Sequence, residues 1–153
     1  MLQTGERAPE IRLPDVQGKV TSLEEFYLRP EEPVLVVVFK VSCPTCQLTL
    51  PFLERLAQQR VQVLGISQDS ASVTRDFAAH FHLTFPMLVD AAPYPVSGAL
   101  RTTNVPSLFL IREDGTIVWD SVGFIRGDLE ELGHVLHVGL FREDDKVPDR
   151  KPG

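Results

Sequence analysis

Cysteine is nearly absent from this chain. Of 153 residues only Cys43 and Cys46 carry a thiol, too few for a scaffold stapled by disulfides. The one disulfide they can form closes too short a loop to constrain the unfolded chain much, so the pair is better explained by chemistry than by stability. Basic residues are in the minority too. Fifteen Lys and Arg against 21 Asp and Glu leave a formal charge of -6, and no basic cluster offers the phosphate-neutralising surface that a nucleic-acid partner needs. No apolar run approaches the length of a membrane span. The opening residues, MLQTGERAPE, hold neither a basic n-region nor an apolar h-region. A cytoplasmic location is therefore expected for the sequence as it stands, and a periplasmic or exported one if a leader has been trimmed. The chain is long enough for one domain that buries about 68–70% of its extended surface, and its 43% hydrophobic content is ordinary for a globular protein.

Both cysteines lie within Val34 to Phe52, and the rest of the chain reads as scaffold around them. Val34 to Phe39 is a continuous apolar run rich in β-branched residues, short enough for a strand buried on both faces. Leu48, Phe52, Leu53 and Leu56 then recur at helical spacing. This places Cys43 at a helix N-terminus, where unpaired backbone N–H groups and the positive end of the macrodipole favour a thiolate over a thiol. Cys46, about one turn on, falls on the same side, within reach of a mixed disulfide at Cys43.

A Cys-x-x-Cys pair is often half of a zinc site, but tetrahedral zinc wants four ligands and no further cysteine exists. Histidine would have to supply the rest, and His80, His82, His134 and His137 are all remote in sequence. No metal and no cofactor is expected. A soft-ion carrier that recruits His80 or His82 is the non-enzymatic alternative.

Around this core the pattern alternates strand and helix. Ile11 and Leu13 suggest a short strand, Gln17-Gly18 a turn, and Lys19 to Thr21 the returning arm of an N-terminal hairpin. Ser22 and Glu25 form a capping box for a short helix, Leu23 to Leu28, closed by Pro30 and Pro33. Val61 to Ser67 reads as a second buried strand and Ser72 to Phe81 as an amphipathic helix. Pro86 to Asp90 is a brief apolar segment, and Pro95 to Arg101 has room for one or two helical turns. Ser107 to Arg112 and Thr116 to Val122 form a hairpin across Glu113-Asp114-Gly115. Asp128 is expected to cap a last helix that runs to about Phe141. These units predict an α/β domain over residues 1–141, with a central mixed sheet flanked by helices. The charged, proline-bearing tail, 142–153, is expected to be disordered.

Taken in order, Gly5-Glu-Arg-Ala-Pro9, Gly18-Lys19, PVLVVVFKVSCPTC, Leu50-Pro51, Gly65-Ile-Ser-Gln-Asp69, Phe85-Pro86, Val105-Pro106 and Gly115-Thr-Ile-Val118 resemble the thioredoxin-like fold. More closely, they are similar to the TlpA-type thiol-disulfide oxidoreductases of the redoxin, or alkyl hydroperoxide reductase/thiol-specific antioxidant, group. The resemblance covers Gly5 to about Leu140. It implies that Cys43 attacks and Cys46 resolves, that Ser42, Pro44 and Thr45 form the active-site loop, and that Val105-Pro106 is a cis peptide facing the disulfide. Only a proline holds a cis bond cheaply, and the backbone it exposes at Val105 would pair with an extended substrate segment. The partners implied are protein disulfides and a thiol electron donor.

This sequence departs from the family pattern at several positions. Ser42 replaces the usual aromatic residue before the first cysteine, Val37 the buried acid of thioredoxins, and Thr49 the glutamate common after the second cysteine. Without those carboxylates, water or the leaving thiol would have to take the Cys46 proton. Lys40 either reaches solvent or lies near enough to Cys43 to favour its thiolate. A peroxide-reducing alternative wants a proline and a hydroxyl seven and three residues before the cysteine, where Val36 and Lys40 stand.

Overall fold

The computed structural model describes residues 1–27 and 31–153. Its centre is β3, Val34–Phe39, all six side chains of which are buried. β3 pairs in parallel with β4, Gln62–Ser67, and antiparallel with β6, Ser107–Ile111. β5, Met87–Val89, and β7, Ile117–Val122, complete a mixed sheet in the order β5-β4-β3-β6-β7. Alternation along β3 divides its side chains between two cores. Leu35, Val37 and Phe39 pack with Leu50, Leu53, Leu56, Phe77 and Phe124, whereas Val34, Val36 and Val38 pack with Ile11, Leu64, Leu100 and Phe109. Each such side chain contributes about 1.5–3 kcal/mol on burial, which is why an uninterrupted apolar run suits this position.

Helices α1, Pro44–Gln58, α2, Ala71–His80, α3, Pro95–Ala99, and α4, Arg126–Leu136, connect and cover the strands. The N-terminal hairpin is present as β1, Arg12–Pro14, against β2, Val20–Ser22, and its turn uses Gly18 at φ +89, a conformation open to glycine without a steric cost. A 3-10 turn over Leu23–Phe26 follows, with the Glu25 carboxylate accepting from the Ser22 N–H at 2.8 Å. The expected end of that helix at Leu28 and Pro30 lies outside the described residues. α3 is held to the end of β5 by Asp90, whose buried carboxylate accepts from the Val96 and Ser97 N–H groups and from the Ser97 hydroxyl.

The C-terminal part differs from the sequence expectation. α4 begins two residues before Asp128 and ends at Leu136, where His137 turns left-handed at φ +57. Asp128 does not cap it. The Asp128 carboxylate accepts instead from the Ser121 hydroxyl at 2.7 Å, and the first helical N–H, that of Arg126, donates to the Asp149 carbonyl at 2.9 Å. Residues 142–153, expected to be disordered, lie against the domain. Arg55 grips Asp145 with two hydrogen bonds, of 2.6 and 2.9 Å. β9, Arg150–Lys151, then pairs antiparallel with β8, Phe124–Ile125. Composition predicted disorder because these residues bury little apolar surface; order comes from backbone and charge contacts that composition does not register.

Candidate active site

The two thiols meet where β3 ends and α1 begins. Between them, the loop at 40–43 is tied down from three sides. The Cys43 N–H donates to the Lys40 carbonyl at 3.3 Å, the Gln47 side-chain amide to the Val41 carbonyl at 2.9 Å, and the Val41 N–H to the Asp69 carboxylate at 2.8 Å. Cys43 is the N-cap of α1, followed by Pro44 at the first helical position, a place where the missing proline N–H goes unneeded. Its sulfur does what a capping oxygen usually does. The Cys46 N–H donates to Cys43 Sγ at 3.2 Å, and the same sulfur lies 3.4 Å from the Val105 carbonyl oxygen.

Cys43 is half-buried and Cys46 fully buried, both as free thiols. Burial, followed by the hydrogen bond with Cys43, pushes the Cys46 thiol well above its ordinary range, and the negative field of Asp69 adds to this, while a backbone hydrogen bond at Lys40 opposes it. Cys46 is therefore a protonated thiol at neutral pH. It waits beneath the more accessible sulfur.

Of the other residues singled out in the sequence, Ser42 and Pro44 are exposed on the rim, Thr45 is buried, and Val105 is half-buried beside a buried Pro106. The Val105–Pro106 peptide is cis, and it faces Cys43 across the 3.4 Å contact. Val37 is fully buried in the core. The Thr49 hydroxyl is spent on the Thr45 carbonyl at 2.7 Å, so neither replacement for a family carboxylate supplies a base. Lys40 directs its ammonium to the face of Tyr94, 5.7 Å from the ring centroid.

Among the described residues no group of three or more His, Cys, Asp or Glu side chains is placed to hold a metal ion. The carrier alternative built on Cys43, Cys46 and His80 or His82 thus finds no third ligand. His80 and His82 are both exposed, His80 with its ring edge-on to Phe81.

Sequence reasoning missed three features of the site. Asp69 is the carboxylate nearest in influence to Cys46, supplied from the end of β4 rather than from β3 or α1; it lay within the quoted Gly65–Asp69 stretch, but its neighbour is visible only in three dimensions. Asn104, exposed, directs its amide to the Gly153 carbonyl at 3.4 Å. The Thr45 hydroxyl, between the cysteines, donates to the Pro152 carbonyl at 2.7 Å. No sequence signal reports either contact with the tail.

The family model for AhpC/TSA matches residues 4–120, a span that holds the hairpin, both cysteines and the cis-proline. The chain belongs to the AhpC/TSA family. It is an enzyme of the thiol-disulfide oxidoreductase and peroxiredoxin class. The thiol:disulfide interchange protein DsbE of Pseudomonas aeruginosa is 30% identical over 122 residues, 79% of this chain and 67% of that protein. Two solved structures share the thioredoxin-like fold at low identity. A thiol:disulfide interchange protein from Bacteroides sp. superposes with a TM-score of 0.73 at 21% identity, over 89% of this chain and 91% of that one. Peroxidoxin BcpB from Mycobacterium tuberculosis does so with a TM-score of 0.75 at 19% identity, over 90% and 97%. Among the described residues no helix is long and apolar enough to cross a membrane.

Proposed function

We propose that this chain exchanges disulfides with protein substrates through Cys43 and Cys46. The observation that carries the reading is the position of Cys43 Sγ between the Cys46 N–H, at 3.2 Å, and the Val105 carbonyl, at 3.4 Å, beside the cis Pro106. From the reduced form, the Cys43 thiolate attacks one sulfur of a substrate disulfide and the other sulfur leaves as a thiolate. Cys46 then gives up its proton and attacks Cys43 Sγ. The substrate departs as a dithiol, having gained two electrons, and the protein holds a Cys43–Cys46 disulfide. An external dithiol donor restores the reduced form by the reverse exchange.

The helix N-terminus orients the first step, since the Cys46 N–H donates to the capping sulfur at 3.2 Å. Burial sets the order of events: the protonated Cys46 cannot compete with Cys43 for substrate, yet it sits one turn away when a mixed disulfide forms. The backbone of Val105 offers an extended substrate segment an edge to pair with. Relatives named as thiol:disulfide interchange proteins support protein disulfides as the substrate class.

The test is reduction of insulin disulfides by dithiothreitol with catalytic amounts of protein. Wild type is expected to accelerate it and Cys43→Ser to be inactive; equal rates for the two would sink the reading.

A further inference from the structure

The backbone edge that this mechanism assigns to substrate is already occupied. Residues 149–153 run along β8 and end on Val105. The Asp149 carbonyl accepts from the Arg126 N–H, Arg150 and Lys151 pair with Ile125 and Phe124, the Pro152 carbonyl accepts from the Thr45 hydroxyl, and the Gly153 carbonyl lies at the Asn104 amide. The fit is close at both ends. Gly123, at φ +73, stands beneath the strand, and a side chain there would come within 2.8 Å of the Lys151 carbonyl oxygen. A side chain on Gly153 would overlap the Val105 carbonyl, whose oxygen lies 3.4 Å from Cys43 Sγ. Both glycines are therefore required for this strand to lie where it does.

What holds the strand is also what makes it removable. Residues 148, 149, 150, 152 and 153 are exposed and Lys151 is half-buried, so no side chain from 148 onward is buried. The contacts are backbone hydrogen bonds at a rim, a two-residue ladder and one buried hydroxyl. Segments with few buried apolar contacts open at a small fraction of the global unfolding free energy. The Arg55–Asp145 pair, upstream of the strand, remains as an anchor when the last residues lift.

We propose that residues 149–153 form a displaceable strap that holds the Val105 edge in the absence of substrate, and that the partner which replaces it is an extended polypeptide segment carrying a disulfide. The inference rests on the function proposed above. A polypeptide recovers the lost hydrogen bonds by pairing with β8 and Val105, whereas a small thiol reagent recovers none and reaches half-buried Cys43 with the strap in place. The strap thus makes the site select for chain length.

The experiment uses the full chain and two variants that dislodge the strap without removing it. Gly153→Leu collides with Val105, and Lys151→Pro removes an N–H from the exposed ladder. Attack of Cys43 on a ten-residue extended peptide whose cysteine is activated by 5-thio-2-nitrobenzoate is timed by release of the 5-thio-2-nitrobenzoate thiolate. Alkylation of Cys43 by iodoacetamide is timed in parallel. Both variants are expected to react about tenfold faster with the peptide, the gain from abolishing a closed state favoured about ten to one, with iodoacetamide rates unchanged. Equal peptide rates in all three proteins would overturn the proposal, and so would a parallel gain with iodoacetamide, which would mean general shielding of the sulfur. Failure of the proposed function is separately visible as absence of insulin reduction in all three, because release of the 5-thio-2-nitrobenzoate thiolate needs only a Cys43 thiol.

Discussion

The N–H of Cys46 donates to the sulfur of Cys43 at 3.2 Å, so one contact both caps α1 and aligns the two thiols. Capping and chemistry can be separated by substitution. Serine is a strong N-cap residue and sulfur a weak acceptor, so Cys43→Ser should melt at or above the wild-type temperature. Cys43→Ala leaves the Cys46 N–H without its partner and should lose about 0.5–2 kcal/mol. Neither variant should reduce insulin. Thermal melts of the two, set beside their activities, check this; an alanine variant as stable as the serine one would show that the sulfur does not cap.

Cys46 makes stability depend on alkaline pH. Burial and the Cys43 hydrogen bond raise its folded value above the ordinary 9.0, so the folded state keeps the proton that the unfolded chain releases. The contribution is fully present below about pH 9 and is lost as pH rises through the folded value. The melting temperature of the reduced protein should therefore fall more steeply above pH 9 than that of Cys46→Ala. Matching slopes would show that Cys46 ionises as freely in the folded state as in the unfolded one. Iodoacetamide at neutral pH should label Cys43 and spare Cys46, read by mass spectrometry of the digested protein.

Asp69 offers a second handle on the same group. Its negative charge disfavours the Cys46 thiolate, while its carboxylate holds the Val41 N–H at 2.8 Å. Asp69→Asn keeps an acceptor for Val41 and removes the charge. Ionisation of Cys46, followed by thiolate absorbance in a Cys43→Ser background, should move to lower pH in the Asp69→Asn protein. A shift to higher pH would contradict the electrostatic account.

The parts of this molecule that a linear reading recovers are those whose cause is local. β3 follows from an apolar run too short for a helix and too continuous for a half-exposed strand, and its bounds at Val34 and Phe39 agree with the sequence expectation. α1 follows from the spacing of Leu48, Phe52, Leu53 and Leu56, and the cysteine pair is placed by the junction of the two. The hairpin at 107–122 follows from two apolar segments around Asp114-Gly115. What was illegible depends on partners distant in sequence. Asp128 has the right chemistry for a cap, but Ser121 takes its carboxylate and Asp149 supplies the cap in its place. β8 and β9 are two residues each, too short for any periodicity, and they exist because Gly123 lets one backbone approach another. Asp69 acts on Cys46 only because β4 lies parallel to β3 in the register that sets Ser67 opposite Phe39.

That register has a steric condition. Gly65, in the middle of β4, pairs with Val37 and Met87, and a Cβ there would sit 3.1 Å from Met87 Cγ and from Phe39 Cε1 and 3.3 Å from Phe85 Cε2. Three buried side chains would have to give way together. Gly65→Ala is expected to cost about 1–3 kcal/mol by overpacking, a fall of about 2–4 °C in melting temperature per kcal/mol at this chain length. Differential scanning calorimetry reads it, and an unchanged transition would mean that this core has slack the packing does not suggest.

Reduction of hydrogen peroxide is the activity expected to set this chain apart from the peroxiredoxins of its family. Reduction of hydrogen peroxide by a thiolate is accelerated by donors fixed around the departing oxygen. The resemblance requires a hydroxyl three residues before the cysteine, and that position holds Lys40, whose ammonium faces Tyr94 at 5.7 Å. Seven residues before it stands Val36, fully buried within β3 between Leu64 and Phe109. The Ser42 hydroxyl is next to Cys43 in sequence and stands exposed on the rim, and the Thr45 hydroxyl is committed to the Pro152 carbonyl. Neither of the two positions that the peroxiredoxin pattern uses offers a hydroxyl to a peroxide on Cys43. When the reduced protein is mixed rapidly with hydrogen peroxide, its thiols are expected to disappear no faster than those of free cysteine at the same pH. Consumption faster by about a hundredfold, the gain typical of a single well-placed donor, would place the chain with the peroxide reductases and reassign Cys46 as the resolving thiol of a sulfenic acid.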